Sequence, residues 1–228
     1  MPKGALVARV VLSFAFRSSC YAVMAWLALW AEARPAPGAL PDVLLESIPY
    51  LAWVDRQNYL LWLFAYTPVA LWLLATDAER FIRYMYTSGL VALVRGLSIA
   101  ATGLGAISGA DPHAGMSFEA RVTAFFQLLN PLGFFDRDHG ARVSLSKDLF
   151  FSGHVATTFL LLLYVWPFPR LRWVMLAGHA LVVASVFFSH LHYTIDVIGA
   201  YAVTFSLFTL RESSGRSVRA HRDVAARR

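Results

Sequence analysis

Charge is scarce in this chain of 228 residues, and so is sulfur. Asp, Glu, Lys and Arg make up only 15% of it, against roughly 25% in a soluble domain. Hydrophobic residues make up 58%, and the mean hydropathy is +0.55. Those values exclude an ordinary cytosolic enzyme, because so much apolar surface must be buried in something other than water. The sole cysteine, Cys20, leaves no partner for an internal disulfide and no cysteine cluster for zinc or iron–sulfur. Lysine occurs only as Lys3 and Lys147, so the net charge of +6 is almost wholly arginine. Arg- and Ala-rich, Lys-poor usage points, on composition alone, to a GC-rich bacterial source. No internal repeat or low-complexity tract is present, and 14% aromatic residues exclude disorder as the explanation for the missing charge.

What the chain has instead is apolar length. A membrane-crossing helix needs about 18 or more mostly apolar residues, since its backbone polar groups must be satisfied within the segment. Six windows qualify: residues 6–30, 59–76, 81–107, 149–166, 171–189 and 193–210. Arg9 and Arg17 interrupt the first window. It is also too long for a signal-peptide core and lacks a compelling cleavage signal after it, so it is read as a helix. The expected fold is all-α, a polytopic membrane bundle of six transmembrane helices. Residues 1–210 form a single catalytic domain, and residues 211–228 form a basic tail expected to be disordered.

Lys and Arg beside a span stay on the cytoplasmic side. With the N-terminus inside, the inner set is Lys3, Arg9, Arg80, Arg83, Arg170, Arg172 and the tail arginines. The outer connections mix Arg34, Arg56, Arg121, Arg137, Arg142 and Lys147 with nine carboxylates. Both termini are therefore expected in the cytoplasm. The tail suits anionic lipid headgroups better than nucleic acid, and no nucleic-acid partner is expected. The outer connections are 31–58, which carries Pro35, Pro37, Pro41 and Pro49, and 108–147. Forty residues are too many for a passive link. Phe125, Phe126, Leu128, Leu129, Leu132, Phe134 and Phe135 make part of it apolar enough for the interface, so a re-entrant or lid-like element is expected there.

An ionisable group inside a span is costly and reads by default as functional. Here such groups cluster. His154 stands at the outer start of the fourth window, within Asp148-Leu149-Phe150-Phe151-Ser152-Gly153-His154. His192 and Asp196 stand at the outer start of the sixth, within His190-Leu191-His192-Tyr193-Thr194-Ile195-Asp196. Four residues apart on a helix, His192 and Asp196 share a face, so the carboxylate can hold one imidazole nitrogen as N–H and leave the other as a nucleophile. Gly153 lets the backbone approach a ligand closely, and His154 supplies a second imidazole as general acid and base. Both spans run inward from this surface, so their N-terminal ends favour an anion there. These are the parts of phosphoryl transfer through a phosphohistidine. Arg95, in the outer half of the third window, is a candidate for gripping a lipid phosphate, with an interhelical ion pair as the alternative. Arg17 is read as structural or snorkelling.

Other readings compete. The three groups could be polar residues satisfied inside a bundle, although three at matching depth exceed what packing tolerates. His154, His190, His192 and Asp196 could hold a metal, but membrane di-metal oxidases use more histidines, and His113, His139, His179 and His221 lie elsewhere. Ion transport fits six spans without repeats or broken helices poorly. No metal and no cofactor is expected.

At these residues the chain resembles the sphingomyelin synthase-related family, within the larger group of type 2 lipid phosphate phosphatases and haloperoxidases. The stretch from Asp148 to His154 is similar to that family's third motif, and the stretch from His190 through Val197-Ile198-Gly199-Ala200-Tyr201 to its fourth. Leu40-Pro41-Asp42, and Arg95 with Thr102, match pieces of the first two. The resemblance runs from about Leu40 to Leu210. It implies transfer of a phosphorylated alcohol headgroup from a glycerophospholipid donor to a lipid alcohol, typically ceramide, without a metal and on the outer or lumenal leaflet. In a bacterium this is the inner membrane with the site facing the periplasm. His192 would attack phosphorus, Asp196 would orient it, and His154 would move the proton. Asp148, Ser152, Gly153, Arg95, His190 and Tyr193 would contact substrate. The chain departs from the pattern at Val155, where Thr is usual, at Ser146-Lys147, where Cys-Gly is usual, and at Leu191, where an acidic residue is usual.

A lipid phosphate phosphatase or phospholipase C-type hydrolase is the second expectation. Phosphatases of this group carry a Lys-x6-Arg-Pro motif and an arginine six residues before the nucleophilic histidine. Here that position is Val186, and the only Arg-Pro pair is Arg34-Pro35. A site with fewer cations suits a phosphodiester better than a dianionic monoester. A scramblase-like or structural bundle is the third expectation, and it predicts no turnover that depends on His192.

Overall fold

The structure, a computed structural model, describes residues 3–35, 37–130 and 145–225, with side chains through Ser213. Its elements are helices: α1 (Lys3–Ala33), α2 (Val43–Ser47), α3 (Ala52–Thr76), α4 (Ala78–Thr102), α5 (Phe118–Leu129), α6 (Gly153–Val165), α7 (Pro169–Phe188) and α8 (Thr194–Ala225). Helices α1, α3, α4, α7 and α8 are long and apolar enough to cross a membrane, and α6 is a shorter apolar helix. The protein is an all-helical, multi-pass membrane bundle.

The fourth window needs correcting, because it supplies only 13 helical residues. At 1.5 Å per residue they extend about 20 Å, short of a hydrocarbon core of about 30 Å. The segment before α6 is held out of the helix by bonds to its neighbours. Arg95 Nε donates to Phe151 O at 2.6 Å, Phe150 N donates to Asp196 Oδ1 at 3.1 Å, and Ser152 N donates to Asp196 O at 3.1 Å. Ser152 is then the N-cap of α6, its hydroxyl accepting from Val155 N. Non-helical backbone survives inside a membrane protein only where protein surrounds and satisfies it. Leu149, Phe151 and Ser152 are accordingly buried.

Helices α1 and α4 pack closely because α4 presents Gly89 and Gly96 to α1. A Cβ on Gly96 would lie 2.8 Å from Met24 Cα, and small residues of this kind let transmembrane backbones approach. The long outer connection is partly helical. On α1, Trp26 meets Phe118 and Phe125 of α5 edge to face at 6.0 and 5.6 Å, so α5 docks on α1. Leu132, Phe134 and Phe135 lie outside the described residues. Asp42 caps α2 through Leu45 N at 3.1 Å. It also reaches the first residue of α8, accepting from Thr194 N at 2.6 Å and from Thr194 Oγ1 at 2.8 Å. At its other end α8 continues helical past Leu210 to Ala225.

The chain runs back and forth, which brings the ends of α1, α4 and α7 to the same side as the starts of α3, α6 and α8. The opposite side carries the pairs Arg9–Glu79, Arg80–Asp77 at 3.0 Å and Arg83–Glu212 at 3.7 Å.

Candidate active site

The turn before α8 sets one half of the site. The carboxylate of Asp196 is fully buried and collects three N–H groups: His192 Nδ1 at 3.2 Å, Tyr193 N at 3.0 Å and Phe150 N at 3.1 Å. A buried carboxylate with three donors is satisfied without leaving its place, and it fixes the imidazole through Nδ1. Nε2 of His192 has no hydrogen-bond partner among the described residues. The expected pair is therefore in contact, but His192 lies ahead of α8 and not on its face, so the turn makes the contact, with Tyr193 N as a further donor to the carboxylate that spacing alone did not indicate.

The segment before α6 sets the other half. His154, half-buried, lies edge-on to Trp62 at 5.7 Å and lines a cavity of about 290 Å³. His192 does not line that cavity, but the two imidazoles are near enough to interact electrostatically. Gly153 is needed for close packing: a Cβ there would sit 3.2 Å from Cζ and Nε of Arg95. Arg95 is spoken for by protein. Besides Phe151 O, it donates to Asp148 O at 3.2 Å, pairs with Asp148 Oδ2 at 2.9 Å and approaches Met24 Sδ at 3.1 Å. The ion-pair alternative thus describes its contacts, although Arg95 and Asp148 both line the cavity. Oδ1 of Asp148 is buried without a hydrogen-bond partner among the described residues.

Two of the expected substrate contacts face the outer loop. His190 Nε2 bonds Ile48 O at 2.9 Å, and its ring meets Tyr50 edge to face at 5.6 Å. Tyr193 is buried, its hydroxyl donating to Gly105 O at 3.0 Å and accepting from Leu40 N at 3.0 Å. These bonds hold the turn that carries His192. His190 and Phe150 are non-glycine residues in the left-handed region, with φ of 48° and 50°. Phe150 lies just ahead of α6, which bears His154, and His190 lies two residues before His192, and such sparsely populated conformations collect at working sites. Among the described residues no three His, Cys, Asp or Glu side chains are grouped to hold a metal.

The sequence reading missed a second polar cluster at this end. Lys147 is buried, and its ammonium contacts Asp111 and donates to Arg34 O at 2.7 Å. Its backbone N–H goes to Glu32, which also accepts from Ser146 Oγ at 3.0 Å. Glu32 was legible as an acidic residue at the edge of a window, but read singly it was only one of the outer charges.

Residues 147–213 match the family model described as PAP2 superfamily C-terminal. No curated protein matches the chain. The matched stretch carries His154, His192 and Asp196, and it supports kinship with the type 2 phosphatidic acid phosphatase-like superfamily and an enzyme of phosphoesterase or phosphotransferase-type chemistry.

Proposed function

We propose that this protein is a membrane lipid phosphotransferase of the sphingomyelin or ceramide phosphoethanolamine synthase type. It moves a phosphorylated alcohol headgroup from a glycerophospholipid to the hydroxyl of a lipid alcohol such as ceramide. The observation that carries the reading is the asymmetry of His192: one nitrogen held by the buried Asp196, the other without a partner among the described residues. Nε2 attacks phosphorus, and the bond from phosphorus to the diacylglycerol oxygen breaks as His154 delivers a proton to that oxygen. The acceptor hydroxyl then gives its proton to His154 and attacks phosphorus, breaking the P–N bond and restoring both imidazoles. The Asp196 charge stabilises His192 while it carries the phosphoryl group. If water takes the acceptor's place, the same steps give a phospholipase C-type hydrolase.

The scarcity of cations where phosphatases clamp a monoester, with Val186 six residues before His192, favours a diester donor. The Arg-rich end of the bundle lies opposite the site, which supports a bacterial inner-membrane protein with its site in the periplasm. A cysteine placed at the exposed Ser108, in a Cys20→Ala background, should react with an impermeant thiol reagent in intact spheroplasts. Labelling only after lysis overturns this orientation.

The test of the activity is to incubate purified protein with labelled glycerophospholipids, with and without ceramide, and to identify products by mass spectrometry. Headgroup transfer that needs His192 supports the proposal. Headgroup release with no transfer to any lipid alcohol moves the assignment to the hydrolase. Lipid turnover that survives His192→Ala overturns both.

A further inference from the structure

The cavity that reaches His154 also contains a cation without a counter-ion among the described residues. On α1, Arg17, Tyr21 and Met24 lie at i, i+4 and i+7, one stripe of the helix, and all three line the cavity. The side chain of Arg17 does not snorkel outward: its Nε donates across to Ser88 Oγ of α4 at 3.2 Å. No carboxylate pairs with it among the described residues. Arg95, the second guanidinium in the lining, faces Asp148 instead. The lining thus holds two guanidiniums against one carboxylate, Asp148.

The two cations lie at different depths. Met24, which Arg95 touches, is seven residues beyond Arg17 on α1, and Arg95 is seven residues beyond Ser88 on α4. Seven residues advance a helix about 10 Å. Arg17 is therefore about 10 Å below Arg95 by both helices, near the middle of a 31-residue helix, with Tyr21, Val91 and Ala92 between the two levels. At that depth four of its five N–H groups have no protein acceptor among the described residues, and an acceptor on another molecule in the cavity would answer them.

We propose that Arg17, steadied by Ser88, is a substrate-recognition subsite that binds the carbonyl oxygen of an acyl linkage, the ester of the donor lipid or the amide of a ceramide-like acceptor. This rests on the reading of the site as a lipid phosphotransferase. With phosphorus at the histidines, the lipid backbone runs down the cavity, and acyl carbonyls are the first strong acceptors beyond the phosphate. A charge-assisted hydrogen bond in a water-poor cavity discriminates against a lipid that lacks the acceptor. A dialkyl ether phospholipid fills the same space and offers no carbonyl.

The test measures binding, in detergent, to full-length wild-type, Arg17→Met and Ser88→Ala proteins. Its probes are diacyl against dialkyl phosphatidylethanolamine of equal chain length, and ceramide against a long-chain alcohol. Wild type should prefer the carbonyl-bearing member of at least one pair by about tenfold. Arg17→Met should bring that ratio close to one while leaving affinity for the carbonyl-free member unchanged. Ser88→Ala, which keeps the cation, should lower the ratio partway, and it stands in should Arg17→Met fail to fold. Dependence in the phosphatidylethanolamine pair assigns the carbonyl to the donor, and dependence in the ceramide pair assigns it to the acceptor. A preference that survives both substitutions, or one absent from wild type, overturns the subsite. Because the readout is binding, the two ideas separate: a preference that depends on Arg17 in a protein with no transferase activity sinks the phosphotransferase reading alone.

Discussion

His179 and His192 are equally buried, each 5% exposed, yet they are held in opposite ways. His179, in the middle of α7, uses both ring nitrogens on hydroxyls, Nδ1 with Thr158 of α6 at 2.8 Å and Nε2 with Tyr201 of α8 at 2.7 Å. It is a polar rivet through three helices, of the kind that joins transmembrane segments. His192 has a carboxylate on Nδ1 and nothing on Nε2 among the described residues. Burial does not separate a structural imidazole from a reactive one. The separation lies in the partner: two neutral hydroxyls exhaust a ring, whereas one carboxylate fixes its tautomer, supports its positive charge and leaves a lone pair for chemistry.

The largest test of that contrast is to remove each ring. His192→Ala should abolish both transfer and hydrolysis of a radiolabelled phospholipid, since no covalent intermediate forms. Asp196→Asn should retain the fold, judged by its elution and helix content, and lower turnover by roughly a thousandfold or more. His179→Phe should keep turnover within a few-fold of wild type. Its deficit should appear in thermal unfolding instead, at about 1–2 kcal/mol for two interhelical bonds. Loss of turnover in folded His179→Phe would remove the distinction between the two sites.

A smaller effect separates His192 from His154. A general acid matters in proportion to how badly its leaving group needs a proton, so His154→Ala should cost about a hundredfold or more with a phospholipid donor. It should recover much of that loss with a nitrophenyl phosphodiester. Rescue of His192→Ala in place of His154→Ala exchanges the two roles.

Much of this contrast was open to reading in the sequence, and the reason differs from residue to residue. His192 and Asp196 are four residues apart, so their nearness is local geometry the chain itself carries, although the contact is made across the turn ahead of α8 and not along a helix face. The rivet at His179 was illegible because Thr158, His179 and Tyr201 lie about twenty residues apart on separate helices, and only packing chooses which faces meet. The early start assigned to the fourth span failed for the same reason. Hydropathy counts Leu149, Phe150 and Phe151 as helix, while the bonds from Arg95 and Asp196 that hold this segment open come from α4 and α8. Arg95 was legible as an intramembrane cation, but its choice of Asp148 over solvent or ligand was not.

The smallest expected effect concerns the outer cap that steadies the start of α8, next to His192, and has no counterpart at His179. Burial alone would raise the Asp42 carboxyl, but the bonds it accepts from Thr194 and Leu45 outweigh burial and hold its pKa below the ordinary 3.8. Because the folded value lies below the unfolded one, the cap's contribution to stability is complete above the unfolded value. It is lost as pH falls through the folded value. Asp42→Asn keeps one acceptor oxygen but has no charge and cannot serve Thr194 N, Thr194 Oγ1 and Leu45 N together. It should therefore melt below wild type near neutral pH. As pH is lowered from about 6 to about 3, wild type should approach the variant, since protonating Asp42 removes what the substitution has already removed. A gap between wild type and Asp42→Asn that stays constant over this range would mean that Asp42 does not hold the start of α8 as a charged cap.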